Sequence, residues 1–150
     1  MRLFKAFIHI FLLTLLVNSS AYAGITILQP MRFGELVITN NDSMHTITIN
    51  TDGSYSNSPS ILIITAPQEG RYEIDGLVPS SVITVTASQN MPLSGGGNTF
   101  TLKNFQVIHS NSDATGVASV TLGGDAETTG SGMNYSDLTY NGSIDLEVTY

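Results

Sequence analysis

The feature that most constrains this chain is a period of two. In "HTITIN", Ile47 and Ile49 share one face and Thr46 and Thr48 share the other. In the last eight residues, Ile144, Leu146, Val148 and Tyr150 alternate with Ser143, Asp145, Glu147 and Thr149. Successive side chains of a β-strand point to opposite faces, so this alternation suits strands with one buried face and is wrong for helices. Thr, Val and Ile dominate the runs. Gly, Asn, Asp, Ser and Pro interrupt them about every eight to twelve residues, the spacing of an all-β sandwich or barrel.

Following those interruptions gives eight or nine strands. "GITILQP" opens the series, closed by Pro30, and "FGELVIT" covers Phe33 to Thr39. "HTITIN" follows the "NNDS" turn, and "TDGSYSNSP" reads as a loop with an Asp-Gly turn signal. "ILIIT" (Ile61 to Thr65) is apolar on both faces and predicts a buried central strand. "RYEID", "SVITVTAS" and "TFTLKNFQVIHS" are further strands, the last long enough to be one strand or a pair. "NMPLSGGGN" reads as a loop, "VASVTLGG" as a strand, "DAETTGSGMNYSD" as the longest polar stretch and "GSIDLEVTY" as the final strand. There is no internal repeat and no second domain.

The first 23 residues read as a leader. Arg2 and Lys5 form a basic start, Phe7 to Val17 is an apolar run of signal-peptide length, and Ala21-Tyr22-Ala23 is a small-x-small cleavage site. The run is too short to span a bilayer comfortably and includes His9 and Thr14, which argues against a membrane anchor. Residues 1–23 are therefore expected to be a cleaved signal peptide and 24–150 a single exported β-sandwich domain, bound for the periplasm, the cell surface or the medium.

That domain holds three basic residues, Arg32, Arg71 and Lys103, against all twelve acidic ones, a net charge of −9. Nothing in it would neutralise phosphates, so nucleic acid is excluded as a partner and anionic membrane surfaces are disfavoured. Cysteine is absent. That excludes a thiol nucleophile, a thiolate metal site and an N-terminal lipid-modified Cys, and leaves stability to β packing, hydrogen bonds or a partner.

The motifs that suggest chemistry have plainer readings. "LSGGGNTF" lacks the Lys and the following helix of a phosphate-binding loop and reads as a turn. His45 and His109 sit at strand ends without a nucleophile elbow, so no catalytic residue is assigned and no enzyme activity is expected. "HSNSDATG", "NNDS" and "GGDAET" hold oxygen ligands, but none has calcium-loop spacing, and no metal or cofactor is assigned. Asn, Asp and Ser cluster in turns because they bond their own backbone. Asn41, Asn134 and Asn141 match the glycosylation triplet, which arises often by chance in such loops.

Four pieces in order resemble one family: "MRFGELVI", "LSGGGNTFTLKNF", "VASVTLGG" and "YNGSIDLEVTY". The resemblance is to the bacterial exported family catalogued as domain of unknown function 4402. The matching positions are Phe33 and Gly34; Gly95, Gly96 and Gly97; Asn104 and Phe105; Leu122, Gly123 and Gly124; and Tyr140, Gly142, Val148 and Tyr150. The family looks pilin-like, which implies an immunoglobulin-like antiparallel sandwich and a structural or adhesive role in a fimbrium, with no catalytic residues. It also implies partners: a periplasmic chaperone, an usher or other pilin-like subunits. The terminal strand 143–150, with Ile144, Leu146, Val148 and Tyr150 as its apolar face, would then serve in the sheet or in pairing with such a partner. Ile25 and Ile27 are candidates for a donor strand or for the domain's own first strand. The alternative is a self-complete monomeric sandwich that binds a ligand through loops Asn90 to Thr99 and Asp125 to Asp137, with Tyr135 and Tyr140 as the loop-side aromatics.

Overall fold

The structure, a computed structural model, describes residues 23–95 and 97–149. Nearly all of the expected leader, Gly96 and Tyr150 lie outside the described residues. Eleven strands run in chain order: β1 (Gly24–Gln29), β2 (Glu35–Ile38), β3 (Thr46–Ile49), β4 (Tyr55–Asn57), β5 (Ile61–Thr65), β6 (Gly70–Asp75), β7 (Thr84–Ala87), β8 (Met91–Ser94), β9 (Thr99–His109), β10 (Ala118–Glu127) and β11 (Leu146–Thr149). Every pairing is antiparallel. The all-β sandwich expected from the alternation is what forms. Among the described residues no helix is long and apolar enough to cross a membrane.

The count exceeds the expected eight or nine because two stretches read as loops are strands. Among the described residues β4, within "TDGSYSNSP", pairs with β3 alone, and β8, within "NMPLSGGGN", pairs with β9 and otherwise makes a single bridge from Ser94 to Asn141. Both are edges. There Pro92 and a polar composition are tolerated, because one row of backbone groups needs no partner strand.

β10 is the spine of a seven-stranded sheet. One of its edges pairs with β9 from Val120 to Glu127. The other edge is shared: Ala118–Leu122 pair with β6, and Gly124–Glu127 pair with β3. The changeover falls at Gly123-Gly124. A Cβ on Gly123 would collide with the Ile49 carbonyl oxygen, and one on Gly124 would stand 2.7 Å from the Phe105 ring. The β9–β10 register shifts at this point, Asn104 takes a left-handed φ of 51°, and its amide donates to Asp125 at 2.7 Å. The Asn-Phe and Gly-Gly steps of the sequence therefore meet in one bulge that bends the long hairpin.

Two short ribbons form the second layer. β7–β11 covers one half of the large sheet, burying Ile83 and Val85 against Ile74, Ala118 and Val120, with Leu146 and Val148 half-buried beside them. β2–β5 covers the other half, with Ile61 against Ile47, Phe100, Leu102 and Ala126. β5 is not the buried central strand that its apolar run predicts. It pairs only with β2, and Leu62 and Ile64 are 51% and 62% exposed. An apolar run on its own cannot say whether both of a strand's faces find a covering layer.

The chain crosses from the large sheet to the second layer between β1 and β2. Arg32 and Gln68 exchange backbone hydrogen bonds (3.1 and 2.8 Å), and the Gln68 and Gln29 side chains donate to the carbonyls of Pro30 and Glu69. Gly34, at φ +79°, passes so close to the Thr65 carbonyl that a side chain there would collide with it. That conformation favours glycine at this step.

Candidate strand-accepting groove

Between the two ribbons of the second layer runs a groove whose smaller part is mainly apolar and whose larger part mixes apolar and polar side chains. One part, about 1370 Å³, is lined by Glu35–Ile38 of β2 on one side and residues 135–142 on the other, with Phe100 and Leu102 in the lining. A second part, about 350 Å³, is lined by Ile25 and Ile27 of β1, Tyr72, Leu122 and Leu146. The two parts share Pro30, Met31, Gly142 and Ile144, so they are continuous.

The alternation that builds the strands also sets the chemistry of this groove. Along β2, Leu36 and Ile38 are half-buried while Glu35 and Val37 are exposed. Along the terminal segment, Ile144, Leu146 and Val148 are half-buried while Asp145, Glu147 and Thr149 are exposed. β2 uses one edge on β5, and β11 uses one edge on β7. In an antiparallel ribbon about half of the backbone N–H and C=O groups point away from the partner. Among the described residues the second edges of β2 and β11 have no partner strand; β2 borders the larger part of the groove and Leu146 of β11 the smaller.

Ile25 and Ile27 report the missing cover directly. They pair with Ile74 and Tyr72 and line the groove, yet they are 53% and 62% exposed. Ile74, one strand inward, is fully buried under the β7–β11 ribbon. Here Ile25 and Ile27 belong to the first strand of the large sheet, the second of the two roles open to them. The terminal strand is shorter than the sequence suggests. β11 starts at Leu146, and Ile144 precedes it, packed with the β2–β5 half of the core while Leu146 and Val148 pack with the other.

The far wall is rigid. Tyr135 donates its hydroxyl to the Thr99 carbonyl at 2.7 Å and accepts from the Thr129 amide at 3.0 Å. Its ring lies 4.5 Å from that of Phe100, and the Tyr140 ring meets Phe100 edge-on at 5.3 Å. These two tyrosines are packing groups, not the exposed loop platform that sequence suggests. Ser94 and Asn141 exchange two backbone bonds of 2.9 Å, and Ser88 donates to the Asp145 carbonyl at 3.0 Å. A Cβ on Gly95 would lie 2.6 Å from the Thr139 carbonyl, and one on Gly142 2.6 Å from that of Pro92, so both motif glycines allow this wall its close approach. Gly97 takes φ +120° with open space around it, as suits a loop glycine.

Above the wall, Asn41 is buried at 4% exposure, and its side chain ties one loop together. It donates to the Met133 carbonyl (2.8 Å), Thr129 (3.2 Å) and Ser131 (3.3 Å), and accepts from the Gly130 amide (3.0 Å). Its amide is fully engaged, whereas Asn134 and Asn141 are exposed.

At the other end, beside the β1–β2 crossing, Glu69 is held below the usual carboxylate range. Its own backbone N–H is the main cause, and Arg71 adds to it, against the cost of burial. His45 and His109 contact Ser43 and the Ser110 carbonyl and lie apart from the groove lining. Among the described residues no three His, Cys, Asp or Glu side chains are grouped to hold a metal.

The sequence profile of the family described as a domain of unknown function (DUF4402) matches residues 24–150. The chain belongs to that family. Seven of the motif positions of this DUF4402 domain form two structural clusters, Asn104, Phe105, Gly123 and Gly124 at the bulge and Gly95, Tyr140 and Gly142 at the groove wall, while Gly34 lies at the β1–β2 crossing, Gly97 in an open loop and Val148 in β11. No curated protein and no solved structure matches this DUF4402 chain. Leu36, Ile38, Met31 and Tyr72, which line the groove, were not singled out by sequence as site residues. The alternation of "ELVI" was the one available signal.

Proposed function

We propose that this protein is a secreted, pilin-like structural or adhesive subunit that assembles at the bacterial cell surface by accepting a strand from another protein. The observation that carries the reading is the continuous groove that passes from the free edge of β2 to Leu146 at the start of β11, with apolar side chains in its floor and strand edges paired on one side only. Strand addition uses these two properties: the backbone ladder supplies affinity and alternate side chains fill the apolar pockets. An exposed apolar edge is otherwise an aggregation hazard that proteins cover or blunt. A chaperone during export, and a neighbouring subunit afterwards, are the partners that fit. The leader-like first 23 residues support an exported setting.

The test is to isolate the exported chain from its native surface and measure its mass in solution, beside Leu36→Asp and Leu146→Asp variants. The expected result is a complex or oligomer that the two variants dissolve. A wild-type chain found only as a stable monomer would contradict the proposal and favour the self-complete binding module.

A further inference from the structure

The face that the incoming strand would present to solvent has its own chemistry. A strand laid along the groove would meet β2 in the larger part and the start of β11 in the smaller, and would point alternate residues outward, beside the outward residues of these two neighbours. Those neighbours are Glu35 and Val37 on β2, and Asp145, Glu147 and Thr149 on the terminal segment, all exposed. Three are carboxylates, Glu35 at the larger part of the groove and Asp145 and Glu147 on either side of Leu146 at the smaller, and none is in an ion pair with a described residue. The two ion pairs present use Arg71 and Lys103 elsewhere in the fold. The groove lining adds Arg32 at the β1–β2 crossing and Asp137 on the opposite wall, which offset each other.

Resting on the strand-accepting reading, we infer that the occupant is a strand from a basic protein, carrying Lys or Arg at its solvent-facing positions and branched apolar residues at the alternate ones. Opposite charges on neighbouring strands stabilise a pair and like charges destabilise it. At longer range, residues 24–150 carry −9, so a basic partner is steered toward the domain, while a second copy brings a further −9 and is repelled. The chain's own "GITILQ" has the right apolar alternation but no cation to set against Glu35, Asp145 and Glu147.

The exported chain is titrated with three dye-labelled peptides by fluorescence anisotropy. One alternates Val with Lys, one alternates Val with Glu, and one is GITILQ. Each opposite-charge cross-strand pair changes affinity by up to about fivefold and each like-charge pair opposes it by a similar factor, so over three carboxylates the lysine peptide is expected to bind about tenfold tighter than the glutamate peptide. High salt should shrink that ratio. The double variant Asp145→Asn/Glu147→Gln, both residues exposed, should shrink it too while leaving the melting temperature unchanged. Equal affinity for the lysine and glutamate peptides overturns the charge rule and leaves the groove reading standing. GITILQ binding as tightly as the lysine peptide overturns it in favour of a second copy. Binding of none of the three overturns the groove reading together with this inference.

Discussion

If the groove is open in solution, two isoleucines on the paired strands β1 and β6 should respond very differently to truncation. Ile74 is fully buried and Ile27 is 62% exposed, although both face the space between the layers. Fully burying an isoleucine side chain is worth about 1.5–3 kcal/mol, and truncating one in a packed core costs about 2–5 kcal/mol because a cavity is left. Ile74→Ala should fall in that range. Ile27 keeps only about two-fifths of its surface from water and leaves no enclosed cavity, so Ile27→Ala should cost about 1 kcal/mol or less. The assay is urea unfolding followed by circular dichroism, with the slope checked for constancy so that midpoints compare stability. Occupying the groove should then raise the cost of Ile27→Ala toward that of a core position. A cost of about 3 kcal/mol for Ile27→Ala in the free chain would refute the reasoning, since the side chain would already be covered.

Asn41→Ala should destabilise the domain by about 1–2 kcal/mol, measured by the same unfolding, because a buried amide loses its four side-chain bonds while its partners Thr129, Ser131 and Met133 are exposed and can turn to water. Gly124→Ala should lower the melting temperature by several degrees, and Phe105→Leu in the same chain should restore part of the loss by clearing the ring that the new Cβ meets. Acid should weaken the fold. Asp52 is held below the usual range first by the Ser54 hydroxyl, Asp113 by the Thr115 hydroxyl and Glu69 by its own backbone N–H. Their folded pKa values are depressed, so the stability they contribute is present above the ordinary carboxylate range and is lost as pH falls through the folded values. Unfolding midpoints from about pH 6 to about pH 3 should fall, and Glu69→Gln should flatten part of that slope.

Much of the fold was legible because alternation, turn residues and β-branched composition all pointed the same way. "HTITIN" and "RYEID" became β3 and β6 within a residue or two, and the Gly-Gly and Asn-Phe steps proved to share one bulge. The failures have physical causes. β8 was lost because Pro92 argues against a strand, although an edge position tolerates proline. "ILIIT" misled because the same apolar run serves a strand buried on both faces or one with its outer face bare. The groove was only half legible. The alternating terminal segment and the "ITIL" strand were visible as strands, but the groove they border depends on which layer covers which, and on how far apart the β2–β5 and β7–β11 ribbons lie. No local pattern records that. Tyr135 and Tyr140 look like surface aromatics in a polar stretch, and only the position of Phe100 shows that they are packed.

The most direct test of the central claim is residue-resolved amide hydrogen exchange on the exported chain, alone and with the valine–lysine peptide. The account predicts that amides on the groove-facing edges of Leu36–Ile38 and Leu146–Thr149 exchange much faster than those of Val120–Leu122 in the free chain. It predicts that they slow on both strands when the peptide is added. Edges already as protected as the central strand, and unchanged by the peptide, would contradict it.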